Sequence, residues 1–384
     1  MDDRKLTILI TGAKGFIGKN LAAFLHQRQR YNIIQFDIEN DCSELEAYLK
    51  DADLIVHLAG INRPQEESEF QVGNVDFTKK LLELLYKQKR KIPIIFSSSV
   101  QANLKNPYGQ SKKDAEELLK EYSEKTDAKV TVYRLQNVFG KWCKPNYNSV
   151  VATFCHNISR NLPISISDVH ARLTLIYIDD VMDAFVNEIE SPNTSGFFYK
   201  ETLPNYTITL GELAQTLETF KGFRENLLSP DFADEFVRKL YATYLSYLDP
   251  GNLSYTLEKK SDNRGYLGEF LKAAGFGQIF VSNTSPGIIR GNHYHNTKTE
   301  KFLVVEGEGV IVLRNIFCSD VIEYKVNGSD LRVIDIPPGY THSIENTGSA
   351  NLVTLFWSNQ ILDPNNTDTY AMNVVLDKDK KEGF

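Results

Sequence analysis

Two stretches of this sequence carry side chains whose types and spacing suit chemistry. The first is Gly287-Ile288-Ile289-Arg290-Gly291-Asn292-His293-Tyr294-His295-Asn296-Thr297-Lys298-Thr299-Glu300, with His342 farther on, in a chain holding only seven histidines. Alternate residues of a strand point to one side, so His293 and His295 can converge on one ion while Tyr294 faces away. Imidazole nitrogens and a carboxylate are the donors of zinc, iron, manganese and nickel sites. His293, His295, Glu300 and His342 are therefore a candidate ligand set. A histidine pair by itself would more often be two surface residues of a hairpin, so the pair needs its context.

The second stretch is Thr11-Gly12-Ala13-Lys14-Gly15-Phe16-Ile17-Gly18, between an apolar run from Leu6 and an amphipathic segment. Glycines at these positions let the backbone approach a pyrophosphate, which then sits on the positive end of the helix. Asp37 lies about twenty residues past the glycines, where a carboxylate bonds a ribose 2′-OH and favours NADH. Lys14 offsets part of that charge and keeps NADPH open. Tyr108 and Lys112 are four residues apart, on one face of a helix, where an ammonium lowers a phenol's pKa and holds a cofactor ribose. The spacing recurs at Tyr255–Lys259 and Tyr294–Lys298, so it is position that singles out Tyr108: it opens the helix after a strand ending in Ser97-Ser98-Ser99.

These groups need a scaffold. Leu6–Ile10, Ile33–Asp37, Leu54–Ala59, Ile92–Ser97 and Val130–Leu135 read as buried parallel strands. They alternate with helical segments Ile17–Gln29, Glu44–Lys50, Val75–Lys89 and Lys112–Lys125, the pattern of a doubly wound α/β sheet with right-handed crossovers. A substrate-side lobe is expected over about 145–250, with a tyrosine-rich stretch, Tyr241–Tyr247, that suits packing. Asp249-Pro250-Gly251-Asn252 breaks the chain there. Beyond it, Gly277–Ser282, Lys301–Val305, Gly309–Arg314 and Val333–Ile336 are separated by turn residues and predict an all-β barrel or jelly roll. The expected domains are thus 1–250 and 251–384.

Composition bounds the partners. At 384 residues two domains or more are expected. The net charge of −7 argues against nucleic-acid and anionic-membrane surfaces. No segment has the apolar length of a membrane span, and the run at Leu6 enters the glycine turn directly, so no secretory leader is expected. Cys42, Cys143, Cys155 and Cys318 lack CxxC or framework spacing, which suits a reducing cytoplasm.

The first roughly 190 residues resemble the extended short-chain dehydrogenase/reductases. The likeness rests on TGxxGxxG, His57-Leu58-Ala59-Gly60, Asn74-Val75, the serine run, YxxxK, Arg134-Leu135-Gln136-Asn137-Val138-Phe139-Gly140 and Asp179-Asp180-Val181, in that order. It implies a cofactor site made by Gly12 to Gly18, Asp37, Leu58, Ala59, Gly60, Asn74, Tyr108 and Lys112. It further implies Tyr108 as proton donor, Lys112 as its partner and Ser99 as carbonyl anchor, Ser98 being the competing choice. Members of this type mostly act on nucleotide sugars, held by residues like Asn137 and Arg172.

The metal stretch resembles the cupins, through Gly287 to Gly307 and Pro337–x–Gly339–x2–His342–x3–Asn346. A second likeness overlaps it. Asp262-Asn263-Arg264-Gly265, Glu269, Gln278, Ser282-Asn283, Ser285 and Arg290-Gly291-Asn292-His293 are similar to the nucleotidyl 4-keto-6-deoxysugar epimerases of the rhamnose pathway. That likeness implies substrate contacts at Arg264 and Arg290. In those epimerases the residue at the His293 position is a base and no metal is bound, so base and ligand remain rival roles for it.

A reductase followed by such a barrel resembles a family of two-domain capsular-polysaccharide enzymes. The resemblance implies C3 epimerisation of UDP-2-acetamido-2,6-dideoxy-4-hexulose, then C4 reduction to UDP-2-acetamido-2,6-dideoxy-L-talose, on the route to N-acetyl-L-fucosamine. It also implies NADPH, zinc and a homodimer. The alternative is a single-activity reductase whose barrel is a structural, dimerising metal domain. Chemistry orders the two steps: the C3 proton is acidic only while C4 is a ketone, so epimerisation precedes reduction.

Overall fold

A computed structural model describes residues 4–191, 194–200, 203–365 and 367–375. The chain divides into two compact units, Met1–Glu218 with Arg238–Asp249, and Thr219–Val237 with Pro250–Phe384. The segment 219–237, which the sequence reading places in the substrate lobe, clusters with the second unit.

The first unit opens as strand and helix in alternation: β1 (Leu6–Thr11), α1 (Phe16–Gln27), β2 (Tyr31–Phe36), α2 (Cys42–Asp51) and β3 (Leu54–His57). A helix begins as α3 (Ser68–Phe70), passes through a wider π turn at Gln71–Asp76 and continues as α4 (Phe77–Lys87). Next come β4 (Ile94–Ser99), a 3₁₀ turn at Val100–Asn103, α5 (Pro107–Thr126) and β5 (Lys129–Leu135). The remainder is β6 (Asn137–Phe139), α6 (Val150–Ser159), β7 (Arg172–Tyr177), α7 (Ile178–Glu190), β8 (Gly196–Lys200), β9 (Tyr206–Thr209), α8 (Leu210–Asn226) and α9 (Glu235–Leu245). The division between the units falls within α8 and again within the first turn of α9.

The main sheet has the order β2-β1-β3-β4-β5-β8, parallel throughout. Period-two alternation sorts its side chains into two cores. Leu9, Ile55, Ile94, Phe96, Val130 and Val132 pack with residues of α2, α4 and α5. Ile8, Ile10, Leu54, Val56, Ile95 and Tyr133 pack with α1 and α7 on the other face. Because both faces are covered, these strands read as unbroken apolar runs. The chain leaves β1 toward β2 on one side and returns to β3 on the other, so a crevice opens beyond the carboxyl ends of β1 and β3. A small sheet, β6-β7-β9, completes the unit. In the tyrosine-rich stretch, Tyr244 and Tyr247 are buried, and the Tyr247 hydroxyl donates to the Cys143 carbonyl at 2.6 Å.

The second unit is antiparallel. Its strands are β10 (Lys259–Asp262), β11 (Gly265–Ala273), β12 (Gly277–Thr284), β13 (Ile289–Tyr294), β14 (Glu300–Glu306), β15 (Glu308–Asn315), β16 (Val321–Asn327), β17 (Val333–Ile336), β18 (Tyr340–Asn346), β19 (Leu352–Ser358) and β20 (Tyr370–Ala371). They form a six-stranded sheet, β10-β11-β12-β19-β14-β17, and a five-stranded one, β16-β15-β18-β13-β20. Phe302, Val304, Ile311, Leu313, Ile334, Ile336, Ile344 and Leu352, drawn from both sheets, form the core. Among the described residues no helix is long and apolar enough to cross a membrane.

Candidate active site and metal centre

In the first unit the expected residues gather at the carboxyl ends of the strands. The turn after β1 is sterically glycine. Gly12 sits at φ +68°, and a Cβ there would lie 2.7 Å from the Ala59 backbone nitrogen. A Cβ on Gly18 would lie 2.3 Å from the Gly12 carbonyl oxygen. α1 starts at Gly15 with no side-chain cap and no acidic residue in its first turn. Its first N–H groups therefore stay available to an anion. Asp37, just past β2, accepts from the Lys14 backbone N–H at 2.6 Å and the Ile38 N–H at 2.8 Å, while Lys14 Nζ pairs with Glu39 at 3.0 Å. Leu58, Ala59 and Gly60 follow β3. Asn74 fixes that loop, accepting from the Ile61 N–H at 2.7 Å and donating to the Ile61 carbonyl and the Ser111 hydroxyl. A Cβ on Gly60 would meet Asn74 Oδ1 and Lys112 Nζ, which places these three groups together.

Helix α5 begins five residues before the expected start, with Pro107 in its first turn and Asn106 accepting from the Gly109 N–H at 2.8 Å. Gly109 lets this turn press on the 3₁₀ turn after β4, since a Cβ would fall 2.0 Å from the Gln101 carbonyl oxygen. That contact brings Tyr108 to Ser99. Ser98 turns the other way and donates to Glu116, which Arg134 also holds at 2.6 Å and 3.0 Å. Of the two serines, Ser99 is the one beside Tyr108.

One expectation fails. The Tyr108 phenol is not lowered; burial raises it above its ordinary value, and the Ser99 hydroxyl opposes this only in part. The Lys112 ammonium donates to the Ser97 carbonyl at 3.0 Å and sits 4.9 Å from the Phe96 ring centroid. Burial lowers Lys112 to about 8, opposed by the Glu116 carboxylate. Lys112 also helps hold the buried His57 neutral, at about 3, although burial is the larger cause. His57 bridges Thr11 at 2.7 Å and Thr78 at 3.0 Å, tying the ends of β1 and β3 to α4. No local spacing pointed to this role.

Of the residues expected at the sugar, Asn137 and Arg172 lie exposed on β6 and β7. Asn137 donates to the Thr174 carbonyl at 3.2 Å. They share the small sheet without being neighbours in register, since Asn137 stands opposite Leu175.

In the second unit His293, His295, Glu300 and His342 converge, each offering a donor atom within 4.8 Å of the others. β13 brings His293 opposite His342 of β18 through a bulge, with Asn292 at φ +58°. Glu300 Oε2 is 3.3 Å from the Nε2 atoms of both His295 and His342. Those two Nε2 atoms are buried yet make no hydrogen bond of acceptable geometry. The opposite nitrogens are occupied: His295 Nδ1 meets the Asp368 carbonyl at 2.5 Å, and His342 Nδ1 the Tyr340 carbonyl at 3.3 Å. A carbonyl only accepts, so both rings carry a proton on Nδ1, and Nε2 is the atom each can offer to a cation. Burial lowers His293 to about 4, helped by His342 and His295. Glu300 is held below the usual carboxylate range by His295 and His342, against the opposing effect of burial. Three imidazole nitrogens and a carboxylate oxygen converging within this distance are a donor set for a divalent cation, so the residues fit one. Tyr294 is turned to Tyr370, ring centroids 5.3 Å apart. Arg264 pairs with Asp262 at the surface, while Arg290 is mostly buried and donates from Nε to Thr284; its Nη2 makes no hydrogen bond and lies 4.0 Å from the Asp262 carboxylate.

Comparison with known proteins assigns both units. Residues 8–196 match the NAD dependent epimerase/dehydratase family, and residues 260–370 match the polysaccharide biosynthesis C-terminal domain. A UDP-2-acetamido-2,6-beta-L-arabino-hexul-4-ose reductase of Pseudomonas aeruginosa is 42% identical, over 96% of this chain and 99% of its own. The chain belongs to the family of that reductase. The crystal structure of the capsular polysaccharide assembling protein CapF from Staphylococcus aureus agrees at a TM-score of 0.90 and 46% identity, covering 96% of this chain and 100% of that one. A dTDP-4-dehydro-6-deoxyglucose reductase of Escherichia coli is 27% identical over 57% of this chain and 83% of its own. The protein is thus a CapF-like oxidoreductase with an NAD(P)-binding first unit.

Proposed function

We propose that this enzyme acts on UDP-2-acetamido-2,6-dideoxy-4-hexulose, inverting C3 in the second unit and then reducing C4 in the first. The product is the UDP-activated 2-acetamido-2,6-dideoxy-L-talose, a capsule precursor on the way to N-acetyl-L-fucosamine. The observation that carries this reading is the presence, in one chain, of Ser99, Tyr108 and Lys112 around one crevice and a buried three-histidine, one-carboxylate cluster elsewhere. Family likeness extends the reading to a cytoplasmic homodimer.

In the first unit, a bound nicotinamide supplies the hydride. The N–H groups of α1 and the glycine turn hold its pyrophosphate, and Asn74 keeps Gly60 and Lys112 beside the ribose. Ser99 donates to the C4 carbonyl oxygen. Tyr108 gives the proton that this oxygen takes up as C4 accepts hydride, and solvent reprotonates the phenolate. A phenol raised by burial stays protonated until that moment. Asn137 and Arg172 contact the sugar nucleotide.

In the second unit, a divalent cation held by His293, His295, Glu300 and His342 would polarise a substrate oxygen. Arg290, whose Nη2 makes no hydrogen bond, and Arg264 receive the phosphates. A histidine serving as ligand is a poor proton acceptor, so His293 belongs to the donor set and another group removes the C3 proton.

The test follows solvent deuterium into C3 of the 4-keto UDP-sugar without nicotinamide. Exchange that persists in Tyr108→Phe and disappears in Glu300→Gln supports two sites. No exchange in the intact protein refutes the epimerase. Exchange that persists after complete metal removal leaves the cation a structural role.

A further inference from the structure

The segment after Asn365 supplies none of the four donor residues, yet its hydrogen bonds converge on them. Asp368, at φ +44°, lends its backbone carbonyl to His295 Nδ1. Its carboxylate accepts from three successive backbone N–H groups, those of Asn296, Thr297 and Lys298, at 2.9–3.0 Å, and from the Thr297 hydroxyl at 2.9 Å. Those residues form the turn that carries the chain from His295 to Glu300. Lys298, itself buried, closes the turn by donating to the Thr367 carbonyl at 2.8 Å.

The next residues run along the other ligands. β20 pairs Ala371 with His293 and Tyr370 with Tyr294. The Met372 N–H donates to the Asn292 carbonyl at 2.9 Å, and the Met372 carbonyl accepts from Thr341, the neighbour of His342, at 2.5 Å. Arg314 is buried, and among the described residues no carboxylate hydrogen-bonds to it. Its guanidinium donates to the carbonyls of Val374 at 2.7 Å and Asn373 at 2.9 Å, besides those of Cys318 and Asn315. A buried cation is costly unless it is hydrogen-bonded, so these carbonyls tie the segment to the guanidinium.

We propose that residues 367–374 form a strap that positions the metal donors, with Asp368 as its central positioning residue. The strap fixes the tautomer and direction of His295 and the spacing from His295 to Glu300. It thereby sets cation affinity and coordination geometry in the second unit. The inference rests on the reading of the four donors as a metal site.

The experiment uses the full-length protein. Zinc affinity is measured by competition with a chromophoric chelator, and geometry by the visible absorption of the cobalt-substituted protein. Asp368→Ala removes all the side-chain bonds to 296–298, and its affinity is expected to fall 10–100-fold with a changed cobalt spectrum. Asp368→Asn keeps one acceptor oxygen for that turn and is expected to regain a large part of the loss. In the unchanged protein, amides of 296–298 and 368–374 are expected to gain hydrogen-exchange protection when zinc binds, which needs no variant to fold. Equal zinc affinity and an unaltered cobalt spectrum in Asp368→Ala overturn the proposal. So does exchange in the strap that zinc leaves unchanged. An unmodified protein that binds neither zinc nor cobalt refutes the metal site itself, a distinct result.

Discussion

Lys112→Met is the substitution whose outcome follows most directly from the structure. The ammonium is buried and its pKa falls from 10.5 to about 8. Between those values the unfolded chain binds more protons than the folded one, so stability rises with pH across that window. Below about pH 8 the buried charge imposes its full cost, about 3 kcal/mol at roughly 1.4 kcal/mol per pH unit. Methionine keeps the alkyl stem against Phe96 and removes the charge. It also leaves the Ser97 carbonyl without its donor, a loss of about 1 kcal/mol. The net expectation at pH 7 is a variant about 2 kcal/mol more stable, or roughly 4–8 °C in unfolding temperature for a domain of this size. At pH 10 most of the wild-type ammonium has deprotonated, and the gain is expected to vanish, a change of about 2–3 kcal/mol. Reductase activity is lost throughout. Denaturant titrations of both proteins at pH 7 and pH 10 give the double difference, in which every other titrating group cancels. A variant less stable at pH 7, or a gain equal at both pH values, refutes burial of this charge as the governing term.

Tyr108→Phe keeps the ring beside Phe70, 5.6 Å between centroids, but has no proton to give; nicotinamide oxidation should slow by about 10²–10⁴-fold with nucleotide binding retained. Gly18→Ala pushes a methyl group against the Gly12 carbonyl, backbone that has nowhere to move; nucleotide binding measured by fluorescence should disappear. Asp37→Asn removes the charge at the ribose position, and the ratio of kcat/KM for NADPH over NADH should rise several-fold; an unchanged ratio removes Asp37 from cofactor choice.

Local order in the sequence carried much of this protein. The glycine turn, the alternating strands and helices and the Tyr108–Lys112 face all follow from periodicity within a few residues, where sterics and side-chain direction act. His293 and His295 were legible for the same reason. The helix start at Pro107 and the strand β8 were less so, because a cap and an edge strand leave weak patterns.

Other features depend on which distant backbones lie side by side. Ser98 and Ser99 are chemically alike and adjacent; only the packing of β4 against α5 and β5 turns one to Glu116 and the other to Tyr108. The Tyr108 phenol is raised because the fold buries it, which no spacing to Lys112 foretells. Asp368 stands 73 residues from His295, with no spacing to link them, and meets it only because β20 joins the edge of β13. Residue type and short-range spacing determined which groups were available for chemistry. Burial and strand register, which arise only when remote segments exclude water together, decided which of them meet and in what protonation state.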